Sequence, residues 1–239
     1  MSSDVGTNRI DELMDQASEK LARTKYFEAE KLAAEALQLA RQADDFDRMA
    51  RIIMPLQEAR RQRTLRALAT KKVTVIEVEE DIPTTKIKPG CYLFQPMLVG
   101  ADARRFRQAA LEAQVPVAVL TREPMTQLRM QPVVAISPGL TIRAKVDPPK
   151  NREQPEIEWF VRAMEDLGDW AVGTIDPEME VTRRIDTLLT RLDAHPEHEG
   201  LHQAVRAACE EAAQQQSDPK LKKKSNGARN AGSRAQAEL

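Results

Sequence analysis

The sequence contains few of the residues on which several common classes of site depend. Its two cysteines, Cys91 and Cys209, are far apart and have no C-x-x-C neighbour, so they give no support to a disulfide framework. The loop QPMLVGADARR has one glycine, Gly100, where a phosphate-binding loop needs several. No serine lies in a nucleophile elbow. These shortages argue against a disulfide-stabilised domain, a dinucleotide-binding domain and a serine hydrolase.

Aromatic residues and long apolar runs are also scarce. Aromatic residues make up 4% of the chain and charged residues 31%, and no stretch approaches the roughly 20 apolar residues that span a bilayer. The first residues, MSSDVGTNRIDEL, have no basic region followed by an apolar run, as a secretory signal would. We therefore expect a soluble, cytoplasmic protein with no membrane partner.

Charge is distributed unevenly along the chain, although the net charge is only -1. Residues 151–216 are acidic, whereas residues 71–150 and 217–239 carry more basic than acidic groups. The basic run from Arg60 to Lys72 has no interleaved aromatic residue for base stacking. We therefore do not expect nucleic acid as a partner. We interpret the basic run as a solvated helix face or as a dock for the acidic segment.

Hydrophobic periodicity predicts three helices in residues 1–70. Apolar residues recur at three- and four-residue spacing after Asn8, a residue type that caps helices. A second helix from Tyr26 carries an alanine-rich face, which permits close antiparallel packing against the first. A third helix is predicted from Asp44 to about residue 69, and Pro55 inside it predicts a kink or a break.

The segment KYFEAEKLAAEALQLA resembles the second half of a tetratricopeptide repeat. The resemblance rests on the aromatic Tyr26 at the turn, on a small residue three positions later, and on Ala33, Ala36 and Leu37 in packing positions. It covers residues 8–42, which is about one repeat length. The resemblance implies a TPR-like helical hairpin, and protein binding as the function expected at the level of the family.

From Val73 the apolar pattern changes to the alternation of β-strands. The strand VTVIEV is followed by CYLF, by a helix over residues 102–114 and by VPVAVL, which together contain a strand–helix–strand unit. Its right-handed crossover requires residues 91–94 and 115–120 to be parallel strands. The stretches PVVAI and LTIRAKV, on either side of the turn SPG, predict a hairpin. We therefore expect residues 71–150 to form a small mixed α/β module.

Three further helices are predicted in the acidic segment, residues 151–216. The first begins at Pro155, the second after Asp176-Pro177, and the third within HPEHEGLH. The only tryptophans, Trp159 and Trp170, lie within or at the end of an apolar helical stripe, so we interpret them as packing anchors.

The last segment, residues 217–239, has almost no large apolar side chain, so we expect it to be disordered. The predicted fold class is therefore α+β and mostly helical. It has a helical N-terminal part, the small α/β module, three acidic helices and a basic tail.

All three histidines lie in the stretch HPEHEGLH. His198, Glu199 and His202 match the H-E-x-x-H pattern, in which two histidines bind Zn²⁺ and the glutamate polarises bound water. His195 could supply a third metal ligand. However, Pro196 places His198 in the first turn of a helix, where acidic neighbours also suit a simple helix start. We therefore predict no metal or catalytic site, and keep a zinc-dependent hydrolase as the alternative.

The predicted function is a non-catalytic role in protein interaction or scaffolding. It rests on the alanine-faced hairpin and on the lack of a nucleophile or phosphate loop. The expected binding surface is a groove between the N-terminal hairpin and the third helix. The sequence leaves the partner and the oligomeric state open.

Overall fold

The structure is a computed structural model that describes residues 2–83 and 86–218, with side chains from residue 8 onward. The predicted disorder of residues 217–239 therefore lies, after residue 218, outside the described residues. The described helices are α1 (Ser2–Ala22), α2 (Tyr26–Gln42), α3 (Phe46–Leu68), α4 (Gly100–Glu112), α5 (Ile157–Gly173), α6 (Val181–Ala194) and α7 (Glu199–Ser217). The strands are β1 (Val73–Ile76), β2 (Gly90–Phe94), β3 (Val117–Arg122), β4 (Gln131–Ser137) and β5 (Leu140–Val146), and a short 3₁₀ turn spans Glu79–Asp81.

The first two helices form the predicted antiparallel hairpin. An ion pair joins Arg9, in the first half of α1, to Glu35, in the second half of α2, and another joins Lys20 to Glu28 near the turn. Both ends of the hairpin are thus linked. The helix α1 begins at Ser2, so the prediction that Asn8 caps it is wrong.

Of the two alternatives predicted at Pro55, a break is excluded, because α3 is continuous from Phe46 to Leu68, whereas a kink stays a prediction. Proline in a helix interior costs about 3 kcal/mol, because it removes a hydrogen bond and crowds the preceding turn. Burial offsets this cost: Ile52, Ile53 and Leu56 on either side of the proline are almost completely buried. Each such side chain contributes roughly 1.5–3 kcal/mol.

The sheet has the strand order β1-β2-β3-β4-β5. Strands β1, β2 and β3 are parallel, and β2 aligns Cys91 with Ala118 of β3, which confirms the predicted parallel pair. Strands β3, β4 and β5 are antiparallel, and the β4–β5 hairpin turns at Gly139, whose φ of 77° lies in the left-handed region that favours glycine.

The two faces of the sheet are covered by different helices, as the alternate side chains of β2 show. Tyr92 and Phe94 pack with Phe106 of α4 in a small cluster on one face. Cys91 and Leu93 belong to the large core on the other face. That core contains side chains from α1, α2, α3, α5, α6 and α7 together with those of four strands. Residues 1–70, 71–150 and 151–216 therefore all contribute side chains to one continuous core.

The helices of the acidic segment begin later than the sequence predicted. The helix α5 begins at Ile157 rather than at Pro155. Asp176 accepts the backbone N–H of residue 178 in a turn, and α6 begins at Val181 with Glu180 as its cap. Each proline thus lies in the connection before its helix. None of the described helices is long and apolar enough to cross a membrane.

The two tryptophans differ in their surroundings. Trp159 packs against the large core, and its indole N–H donates to the Asp147 carbonyl oxygen at 2.7 Å. Trp170 is 55% exposed, so its interpretation as a packing anchor is wrong. An apolar stripe predicts that a residue faces a core, but it does not predict where the core ends.

Candidate functional site

The histidine motif lies where α7 begins, against α5 and α3. His198 is the residue before the helix: its backbone is extended, and its Nδ1 accepts the N–H of Leu201 at 3.1 Å. Its Nε2 must then carry the proton, and it faces Asp169 Oδ1 at 3.2 Å and Glu165 Oε2 at 3.4 Å. His198 is thus an N-cap rather than a residue of the first helical turn.

His202 is engaged at both ring nitrogens. Its Nδ1 lies 2.9 Å from the carbonyl oxygen of His198, so Nδ1 carries the proton and donates. Its Nε2 lies 3.4 Å from Nη1 of Arg60, and because arginine has only donors, Nε2 must accept. His195 in turn places Nε2 at 2.9 Å from the Met164 carbonyl oxygen and Nδ1 at 3.6 Å from Glu197.

This arrangement does not fit a zinc-hydrolase site. The lone pairs of His198 and His202 that would bind the metal accept hydrogen bonds from a backbone N–H and from a guanidinium. Glu199 points to α3, where its carboxylate lies 3.5 Å from Gln57 and 3.7 Å from Arg61. Among the described residues, no group of three or more His, Cys, Asp or Glu side chains is placed to hold a metal ion. The motif begins a helix and connects it to α3 and α5.

A glycine makes room for the His198 ring. A Cβ built on Gly168 of α5 would lie 2.1 Å from Cγ of His198, well inside van der Waals contact. The ring of His195 stacks on the ring of His198, with 5.9 Å between the two ring centroids. The close approach of α5 to the start of α7 therefore depends on the absence of a side chain at residue 168.

A cluster of buried charges lies beneath the histidines. Glu30 of α2 accepts from Nε of Arg60 at 2.9 Å and pairs with Arg63, both on α3. Burial lowers the pKa of each guanidinium to about 10. Burial alone would raise the pKa of Glu197, but His195 and the charge of Arg107 lower it to about 2. The cluster thus holds the Glu197 carboxylate ionised.

The basic run on α3 is therefore only partly a solvated face. Arg63 is buried, and its guanidinium lies 4.6 Å from the ring centre of Phe27. Arg66 lies 4.5 Å from the ring centre of Tyr26. These aromatic partners come from α2, so a search of the run itself does not find them. The ion pair of Arg61 with Glu199 agrees with the prediction that the run docks the acidic segment.

A surface groove runs between α2 and α3 on one side and α6 on the other. Its volume is about 330 Å³. It is lined by Ala34, Leu37, Gln38, Arg41, Gln42, Leu56, Arg60, Leu189, Leu192 and Asp193. The predicted groove involved only the first three helices. The α6 residues that close it were missed, because sequence periodicity does not tell which distant helix packs beside the hairpin.

Charged pairs bound this groove. Arg41 of α2 donates to both carboxylate oxygens of Asp186 on α6, at 2.8 and 2.9 Å. Asp193, also on α6, lies 3.4 Å from Nη2 of Arg104. Leu37, Leu56, Leu189 and Leu192 supply the apolar part of the lining between them. The groove therefore combines an apolar floor with a charged rim.

No family model, no curated protein and no solved structure matches the chain. The resemblance of residues 8–42 to a tetratricopeptide hairpin therefore rests on that segment alone.

Replacing Gly168 by alanine should lower the free energy of unfolding by about 1–3 kcal/mol, because the new methyl group overlaps the buried His198 ring. Denaturant unfolding measures the loss. Gly173→Ala in the same helix is the matched control, since a Cβ there meets nothing within 4 Å. That variant should stay within about 0.5 kcal/mol of the wild type or be more stable. Equal losses in the two variants would show that the close approach is not as described.

Acidification should destabilise the protein through His202. Burial and then the charge of Arg60 lower its pKa from 6.5 to about 3. Between these values the unfolded chain binds a proton that the folded protein excludes. The stabilising contribution is therefore complete above pH 6.5 and is lost as pH falls towards 3.

The comparison is between the wild type and His202→Gln, unfolded in urea at pH about 6.5 and about 5, above the range in which carboxylates dominate. The wild type should lose about 1–2 kcal/mol more than the variant over this interval. If the wild type and the variant lost the same free energy of unfolding, His202 would take up its proton in the folded state.

Proposed function

We propose that the protein acts without catalysis, by binding a segment of another protein in the groove between α2, α3 and α6. The observation that carries this proposal is the apolar groove with its charged rim. Its volume of about 330 Å³ lies at the lower end of the range for binding pockets. That space suits a few apolar side chains of a partner rather than a whole domain.

The chemistry of the lining defines the partner segment. Leucines on the α3 and α6 sides of the groove, Leu56 and Leu189 among them, favour leucine, isoleucine or methionine side chains on the partner. Arg41 and Asp193 at the rim supply groups of both signs for polar contacts. We therefore infer an amphipathic segment that buries one apolar face. The charged groups at the rim of the groove would set the orientation of the bound segment more than its affinity.

Filling the groove should abolish binding without unfolding the protein. Ala34 is a half-buried lining residue, so Ala34→Trp places an indole in the groove. Ala101→Trp is the matched control, since it makes the same change at an exposed position of α4 outside the groove. The partner is first identified by photo-crosslinking from Gln38, and its purified form is then titrated against both variants. We expect at least a tenfold loss of affinity in Ala34→Trp, about 1.4 kcal/mol, and wild-type affinity in Ala101→Trp.

Two results would contradict the proposal. One is a crosslinked partner that binds Ala34→Trp as tightly as the wild type. The other is the absence of a crosslinked protein at Gln38, when crosslinkers at exposed positions elsewhere do capture one.

A further inference from the structure

The carboxyl ends of the three parallel strands meet in a cleft that the groove and the histidine motif do not involve. Its walls come from the residues that follow β1, β2 and β3 and from residues 152–153, and its volume is about 500 Å³. In sheets of parallel strands, this edge is the usual place for ligands, because loops from several strands converge there. Glu77, Gln95, Arg122 and Arg152 are the lining residues on which the inference rests.

Arg122 is a buried cation with neutral partners. Only 6% of the residue is exposed. Its Nε donates to Gln95 Oε1 at 2.7 Å, and its Nη2 donates to the carbonyl oxygen of Arg152 at 2.7 Å. Its Nη1 is buried and has no hydrogen-bond partner among the described residues. Buried charges in proteins are ordinarily paired, since desolvation without a counter-charge is costly.

Three other arginines of the described residues that lie wholly or partly in the interior differ from Arg122 in this respect. The buried Arg63 and the partly buried Arg60 share the carboxylate of Glu30, and the partly buried Arg107 lies 3.9 Å from Glu197. Within the part of the chain that the structure describes, neither Arg122 nor Arg152 has a carboxylate at ion-pair distance. The cleft therefore contains two guanidinium groups without an acidic partner.

Three carboxylates also line the cleft, those of Glu77, Glu123 and Glu153, but none lies at ion-pair distance from Arg122 or Arg152 among the described residues. Glu123 is already paired with Arg143, which contacts both of its carboxylate oxygens, at 2.7 and 2.8 Å. Glu77 accepts a hydrogen bond from the Gln95 side-chain amide, whose oxygen in turn accepts from Arg122. This chain from Glu77 to Arg122 fixes the plane of the guanidinium without touching its Nη1.

We propose that this cleft binds a small molecule through an oxyanion, either a carboxylate or a phosphate group, which accepts from the exposed Arg152 guanidinium and supplies the counter-charge that the buried Arg122 lacks. Both groups match the planar fork of donors that an arginine presents. Pro96 and Pro124 also line the cleft and offer apolar contacts to the rest of the ligand. This site is separate from the groove between α2, α3 and α6, so either can exist without the other.

The test is a titration of the full chain with inorganic phosphate and, separately, with succinate, followed by NMR of the arginine Nε–H groups. Ionic strength is held constant with sodium chloride, because screening alone shifts exposed signals. The Arg122 and Arg152 signals should move and saturate at millimolar anion. The signal of Arg51, an exposed residue of α3, should not respond in this way. Saturation with phosphate alone assigns a phosphate group, and saturation with succinate alone assigns a carboxylate.

Variants distinguish a specific anion site from the general electrostatic attraction of anions to basic side chains. Replacing the buried Arg122 risks unfolding, so the decisive variant is Arg152→Gln, which changes an exposed side chain. It should weaken binding about tenfold, as the loss of a hydrogen bond to a charged group does. Arg51→Gln makes the same change of net charge at a distant exposed site and should bind as the wild type does. The proposal is overturned if neither anion gives a saturable shift at Arg122, or if Arg152→Gln binds as tightly as the wild type.

Discussion

The carboxylate of Glu30 is the group on which the connection between the halves of the molecule depends. It is 6% exposed, and it holds Arg60 and Arg63 of α3 against α2. Arg60 continues the contact to His202 of α7 at 3.4 Å. A buried carboxylate is tolerated only when its charge and hydrogen bonds are matched, so the positions of α2, α3 and α7 are mutually constrained. The groove lies beside this cluster and takes its walls from the same two N-terminal helices.

Much of the fold follows from local periodicity. The alternation in CYLF and the run VPVAVL predict two strands, and the intervening helix requires them to be parallel, as the pairing of Cys91 with Ala118 confirms. The alanine-rich face of α2 likewise predicts a close hairpin. These predictions succeed because each uses only neighbouring residues. The start of α1 was missed. The continuity of α3 through Pro55 could not be chosen over a break from local propensity, since the burial of the neighbouring side chains favours it.

The candidate sites are less accessible to sequence analysis than the fold. The spacing of His198 and His202 predicts a shared helix face, but His198 lies before the helix and uses its ring as the cap. The burial of Glu30 cannot be read from a helix whose other acidic residues, Glu28 and Glu35, are not buried. Arg122 ends an apolar strand, where an arginine normally reaches solvent. Its burial depends on Gln95 and on the backbone of Arg152, both distant in sequence. Such sites depend on long-range contacts that one sequence does not reveal.

The central claim is that the helical hairpin, the sheet and the acidic helices share one core and unfold as one unit. Native-state hydrogen exchange in low denaturant tests it most directly, with buried amides of α2, β2 and α7 as reporters, at Ala33, Leu93 and Val205. The account predicts that all three open with the same free energy and the same denaturant dependence, equal to those of global unfolding. A smaller opening free energy and a smaller denaturant dependence at Ala33 would contradict it, because the hairpin would then unfold independently of the sheet.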